Sequence, residues 1–163
     1  GIPAFYLHSF LGAENDLQLL GKTGRNRSIN RGRFDLCQLE RDLDDIDSNV
    51  HGVFYGLQEI LSVRQRQTAF HPNATQYTLH LGEGLFSFWR QSRSRSQSIF
   101  CVHNISDRER EFSLDQLNLI ETDEWFDLLS ARSFPNLKAK LSLQPYQCLW
   151  LTNGGPLGNR PNL

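Results

Sequence analysis

One run of apolar and aromatic residues, Ile2-Pro3-Ala4-Phe5-Tyr6-Leu7, opens the chain, and nothing like it recurs before Phe70. Its hydrophobicity is continuous, not alternating, so residues 2–7 read as a strand buried on both faces. Such a strand needs neighbours on both edges and helices on both faces. The next sixty residues supply helices but no second strand. Residues 8–34 form a long connection carrying Gly12, Gly21, Gly24 and Gly32, with a turn of helix at Asp16–Leu20. A connection of that length between compact elements is functional or disordered. Asp35 is an N-cap for a helix over Leu36–Asp44. Val50, Val53, Phe54, Leu57, Ile60 and Leu61 then recur at helical spacing, and Arg64 and Arg66 suit that helix's C-terminus. Residues 1–67 are thus a single βα unit without its partners. The chain also begins inside a structured element, at Gly1-Ile2-Pro3, and contains no methionine. The expectation is a C-terminal fragment of something longer.

From Phe70 the pattern changes. Tyr77–Leu81 and Leu85–Trp89 alternate about a Gly-Glu-Gly turn. Ser98–Ile105, Arg110–Leu114, Trp125–Leu129, Ala139–Leu143 and Tyr146–Leu151 add further short strands separated by turn residues. Regular short strands predict an antiparallel sheet or sandwich over residues 68–152, with the domain boundary at residues 68–72. The Gly/Pro/Asn-rich tail, residues 153–163, is expected to be flexible. The fold class is α/β plus all-β.

The chain has 163 residues and a net charge of -1, from 17 basic and 18 acidic residues. That balance gives no global attraction to nucleic acid or to an anionic membrane. Cys37, Cys101 and Cys148 are scattered and odd in number, which predicts reduced thiols in a cytoplasmic protein and no metal or disulfide framework. No leader and no long apolar run is present.

The cations are nonetheless gathered locally. Lys22, Arg25, Arg27, Arg31 and Arg33 fall within KTGRNRSINRGR. By composition alone this is a solvated loop, since charge runs are usually exposed. Arg90-Gln91-Ser92-Arg93-Ser94-Arg95-Ser96 resembles an RNA-binding RS segment but sits between two strands, so a polar hairpin loop is the better account. His8 closes the first strand, and His71, beside Pro72, reads as a turn residue. Phe86, Phe88, Trp89, Trp125 and Trp150 are sugar-stacking candidates, but at alternating strand positions such residues fill a core. Asp42, Asp44, Asp45 and Asp47 lack the spaced, glycine-containing loop of a calcium site and read as a solvated turn.

GIPAFYLHSFLG, then NDL at Asn15–Leu17, KTG at Lys22–Gly24 and RSINR at Arg27–Arg31, in that order, resembles the last βα unit of the sucrose phosphorylase group in the α-amylase clan. The similarity continues through RQRQTAFHPNATQYTLHLG and, more weakly, to about residue 152. It implies the last βα unit of a (β/α)8 TIM barrel followed by a C-terminal antiparallel β-domain. Residues 8–34 would be the loop after the eighth strand, at the catalytic end of the barrel. The family's reaction is retaining glucosyl transfer, in which a carboxylate forms a glucosyl-enzyme and phosphate then displaces that carboxylate from the anomeric carbon. Its nucleophile and acid/base lie on earlier strands, so no catalytic residue falls on this chain and no activity is expected of it. Arg27 matches the family's arginine that binds the glucosyl 4-hydroxyl and pairs with an upstream Asp, a role that suits a guanidinium fork. Asn26 stands where the family often has Gly.

The implied partners are a small sugar, sucrose or a related α-glucoside, and inorganic phosphate; no cofactor, nucleic acid or membrane is called for. His8 is a substrate-binding candidate at the strand's end, and Arg25 is a candidate contact for a phosphorylated or acidic acceptor. Fructose, fructose 6-phosphate, glycerate and glycerol all stay open as acceptors. The alternative reading is a noncatalytic carbohydrate-binding or accessory β-domain.

Overall fold

The computed structural model describes residues 2–117, 125–134 and 140–153. The chain forms two compact units, Ile2–Ser62 and Val63 onward.

The first unit is helical. It contains α1 (Leu7–Phe10), α2 (Leu17–Thr23), a 3-10 turn (Asn26–Asn30), α3 (Leu36–Asp44) and most of α4 (Asn49–Gln65). Asp35 caps α3 as its sequence position predicts, accepting from Gln38 N at 2.9 Å. Asp16 does the same for α2, accepting from Leu19 N at 2.7 Å, and Gly24 ends that helix at φ 62°.

The expected strand over residues 2–7 is not formed. Residues 2–6 carry no regular structure, and Leu7 opens α1. The reason lies in the backbone: a parallel strand's N–H and C=O groups bond to neighbouring strands, and the described residues of this unit contain none. The apolar side chains stay in solvent accordingly, with Ile2 81% and Leu7 59% exposed. In this unit only Leu11 and Ser28 are buried, so the α4 stripe of Val50, Val53, Phe54, Leu57, Ile60 and Leu61 is incompletely covered.

One close approach fixes how α1 meets α4. Gly12 has φ +60°, and a Cβ there would lie 2.8 Å from Val53 Cγ2. Its carbonyl also accepts from Asn49 Nδ2 at 2.9 Å. Gly12→Ala is therefore expected to cost this unit about 1–3 kcal/mol, read as an earlier loss of helical circular dichroism on heating.

The second unit is antiparallel throughout. Its strands are β1 (Thr75–Leu79), β2 (Leu85–Gln91), β3 (Ser98–Asn104), β4 (Arg110–Ser113), β5 (Trp125–Asp127), β6 (Arg132–Phe134), β7 (Lys140–Leu143) and β8 (Cys148–Thr152). Six of them form a sheet in the order β1-β2-β3-β8-β5-β6, and β4 pairs with β7. The expected strands appear with small shifts, and β6 is an addition to them. Residue 139, the predicted start of one strand, and the tail from residue 154 lie outside the described residues.

β3 is covered on both sides along Ile99–Val102, the apolar stretch at its centre. Phe100 and Val102 join Phe112, Leu114, Leu141, Leu143, Leu149, Leu151 and Trp125 in one cluster, bringing the two sheets together. Ile99 and Cys101 face the other way, against Ala69, Phe70 and Leu128. Arg90 is no part of a nucleic-acid-binding segment: it is buried and donates to Ala69 O at 3.1 Å, His71 O at 2.7 Å and Gln76 Oε1 at 3.2 Å. Buried Gln97 adds to this, accepting from Ala69 N at 2.9 Å and donating to Gln67 Oε1 at 2.7 Å. Together they pin the 3-10 turn Thr68–Phe70 to the β2–β3 hairpin.

No helix among the described residues is long and apolar enough to cross a membrane.

Candidate functional site

The basic loop is ordered by its own short-range bonds. Asp16 N donates to Ile29 O at 2.6 Å, closing α2 onto the 3-10 turn. Thr23 Oγ1 lies 2.8 Å from both Leu19 O and Ser28 Oγ, and Ser28 is buried. Two aromatic side chains tie the start of the chain to the end of the loop: Tyr6 OH donates to Asn30 O at 3.1 Å, and His8 Nε2 donates to Gly32 O at 2.7 Å. The His8 ring stacks on Tyr6, with centroids 5.0 Å apart, and leans on Phe34 at 4.8 Å. That bond and those contacts fix the ring's orientation and leave Nδ1 buried without a partner among the described residues.

A cleft of about 460 Å³ opens beside His8, lined also by Asp16, Arg33, Phe34, Asp42 and Asn49. It mixes a cation, carboxylates, an amide and an aromatic edge, an inventory that suits hydroxyl-rich ligands. Among the described residues no cluster of three His, Cys, Asp or Glu side chains could hold a metal ion. Of the three substrate-binding candidates, only His8 lines this cleft. Arg25 and Arg27 are exposed; Arg27 projects from the 3-10 turn next to buried Ser28. Sequence reasoning did not single out Asp16, Arg33, Phe34 or Asn49 for the cleft. Asp16, heading the expected turn of helix, and Arg33, in the basic cluster, left a signal, and Phe34 and Asn49 left none.

The other sequence-level candidates fall elsewhere. His71 is a turn residue, its Nδ1 accepting from Asn73 N at 3.1 Å. Asp44, Asp45 and Asp47 are exposed, and Asp45 accepts from Asp47 N within its own turn. Trp125 fills the core at 1% exposure, whereas Phe86 does not: it is 51% exposed.

One side-chain pair stands outside these readings. His103 Nδ1 and Cys148 Sγ are 3.0 Å apart across β3 and β8. Burial lowers the His103 pKa from its ordinary value of 6.5. Burial, and after it the charge of Asp127, raises that of the Cys148 thiol. Both shifts favour the neutral forms, opposite to the thiolate–imidazolium pair of a nucleophilic cysteine. The unfolded chain protonates His103 near 6.5 and the folded chain only at lower pH. Stability from this group is thus fully present above the unfolded value, falls as pH drops below it, and levels off below the folded value. The expected measurement is a urea midpoint that declines with acidification over that window, with a shallower decline in His103→Leu.

The fold belongs to a known architectural class. The chain superposes on AmyP in complex with maltose with a TM-score of 0.58 at 12% identity, over 81% of this chain and 28% of that one. It superposes on an Anoxybacillus α-amylase with a TM-score of 0.53 at 12% identity, over 73% of this chain and 25% of that one. No family model matches the chain. Its sequence relatives are phosphorylases. It is 31% identical over 160 residues to the glucosylglycerate phosphorylase of Spirochaeta thermophila, covering 93% of this chain and 27% of that protein. It is 33% identical over 152 residues to the enzyme of the same name from Allomeiothermus silvanus, covering 93% and 24%. The chain is a homologue of these glucosylglycerate phosphorylases, and it spans about a quarter of the length of the curated relatives it matches.

Proposed function

We propose that the chain is the C-terminal part of a cytoplasmic sugar phosphorylase that transfers a glucosyl unit from glucosylglycerate to inorganic phosphate. The observation that carries this reading is the 31% identity over 160 residues to a phosphorylase of that name. Residues 1–67 would complete the catalytic barrel, residues 2–7 pairing there as its last strand, and residues 68–152 would be its C-terminal β-domain. Free Cys37, Cys101 and Cys148 suit a reducing compartment.

The roles follow from chemistry. Phosphorolysis with retention needs a carboxylate nucleophile and a carboxylic acid that protonates the leaving oxygen. Both would come from outside this chain, and the chain would supply binding groups. Arg27, exposed here, would hold the glucosyl 4-hydroxyl and an aspartate from the rest of the barrel. His8 would face the sugar with a ring held by Gly32. Arg25 would meet the carboxylate of glycerate, an acceptor whose charge accords with the basic loop. No cofactor is needed.

The test uses the protein encoded by the complete reading frame. Glucosylglycerate with phosphate is expected to yield glucose 1-phosphate faster than sucrose does, and the 163-residue chain alone is expected to yield none. Equal or greater turnover of sucrose would overturn the substrate assignment. Turnover by the 163-residue chain, in a preparation free of host glucosidases, would overturn the division of labour.

A further inference from the structure

One sheet edge carries no charge. Among the described residues the edge strands are β1 and β6 in the six-stranded sheet and β4 and β7 in the small one. Charged side chains on an edge strand discourage pairing with another chain. β6 carries Arg132, β4 carries Arg110 and Glu111, and β7 carries Lys140. β1, Thr75-Gln76-Tyr77-Thr78-Leu79, carries none. The uncharged stretch runs from Gln67 to Gly82, in a chain of which 21% of the residues are charged. Thr75, Gln76, Tyr77 and Thr78 are all exposed. Among the described strands β1 pairs only with β2, so alternate residues turn their N–H and C=O groups outward without a strand to receive them.

An aromatic stack ends at the same edge. Register sets Tyr77 opposite Trp89 and Trp89 opposite Phe100. Their rings are stacked, with centroids 5.1 Å apart between Tyr77 and Trp89 and 5.8 Å between Trp89 and Phe100. Tyr77, the outermost ring, is 51% exposed.

We infer that β1 pairs antiparallel with β1 of a second copy of this chain, about a two-fold axis at Tyr77. That register sets Tyr77 against Tyr77 of the second copy and extends the stack as a cross-strand aromatic pair. It sets Gln76 against Thr78 and Thr75 against Leu79, so no like charges are opposed. A charged strand would find no counter-charge on β1, whereas a second copy matches its neutrality residue for residue. Two-fold pairing covers both neutral edges at once, and the arginine on each β6 edge discourages growth there, so the product is a closed dimer and not a fibre. Five paired residues a side fall short of the roughly 1,000 Å² of a tight interface, which places the affinity in the micromolar range.

The test is sedimentation velocity of the protein from the complete reading frame, from low to high micromolar concentration, joined to cross-linking that reads the register. A monomer–dimer equilibrium is expected. Tyr77→Lys sets two ammonium groups against each other across the axis and is expected to weaken the dimer at least about ten-fold. If that variant melts early, Thr78→Lys, at an exposed position whose copies are diagonal neighbours across the axis, is scored in its place. Under mild oxidation, Tyr77→Cys is expected to form a disulfide between copies at least about ten-fold faster than Thr75→Cys, because position 77 faces itself and position 75 faces position 79. Mass spectrometry of the joined peptides tells this bond from any made by exposed Cys37 or Cys148. A monomer at every concentration overturns the inference. A dimer that the lysine variants leave intact overturns it too, as does one in which the two cysteine variants cross-link at equal rates.

Discussion

Asp127→Ala is expected to unfold the β unit at ordinary temperatures or to lower its melting point by more than about 15 °C. Asp127 is fully buried. Its Oδ1 accepts from Trp150 N at 2.8 Å and Leu129 N at 3.3 Å. Its Oδ2 accepts from Ser130 N at 3.0 Å and Ser130 Oγ at 2.6 Å. One carboxylate therefore fixes the β5–β6 turn and satisfies an amide of β8. Truncation strands the half-buried amides of Trp150 and Leu129, while the donors of exposed Ser130 can turn to water; with each stranded amide costing about 1–3 kcal/mol, the total is on the order of 4 kcal/mol. A domain of this size loses about 4–8 °C per kcal/mol. Asp127→Asn retains one acceptor but presents an N–H group to donors, and is expected to fall between the two. Thermal melts of the three proteins measure this. A shift in Asp127→Ala below about 5 °C would mean the turn holds without its carboxylate.

Arg27→Ala, in the protein from the complete reading frame, is expected to lower kcat/KM for the glucosyl donor by tens- to hundreds-fold. Here Arg27 is exposed on its 3-10 turn, and inside a closed sugar pocket it would be desolvated. A charge-assisted hydrogen bond there is worth roughly 1.5–3 kcal/mol, and truncation also leaves the partner carboxylate unpaired. Arg33→Ala, by comparison, removes an exposed cation from the rim of the His8 cleft, with an expected cost of about 0–1 kcal/mol. Arg27→Lys is expected to rescue poorly, because an ammonium lacks the planar fork. Steady-state kinetics on variants of matched melting temperature decide it. Near-parental kcat/KM in Arg27→Ala would reduce the cluster to a solvated loop.

Periodicity alone makes most of the β unit legible. Alternation at Leu85–Trp89 and turn residues between runs place β2, β3, β4, β7 and β8, because a sheet covered on known faces writes its burial into the text. β6 escapes because Arg132-Ser133-Phe134 is too short to show a period. The run at residues 2–7 misleads for a physical reason: apolarity makes a strand only where a neighbouring strand takes up the backbone groups, and among the described residues of this unit there is none, so residues 2–6 are irregular and exposed. Hydropathy also hides buried polar groups. Arg90, Gln97 and Asp127 look like hairpin and turn residues, and only the structure shows them bonded inside. Arg27 is a candidate through its motif alone; nothing in charge, spacing or exposure separates it from Arg25 or Arg31.

The sheet order β1-β2-β3-β8-β5-β6 places the last strand among the described residues in the middle of the sheet. During synthesis, β1, β2 and β3 can pair as successive hairpins while β3 still presents an open edge, and it keeps that edge until Cys148–Thr152 arrives. Pairing β3 with β8 is also the long-range step, bringing together residues as far apart as Ile99 and Thr152, and such closures are slow. A ribosome that stalls earlier releases a chain with an unpaired, apolar central strand, a template for aggregation and a target for chaperones and proteases. Quality control of nascent chains therefore has a structural handle here: only a chain translated through Thr152 can close its sheet.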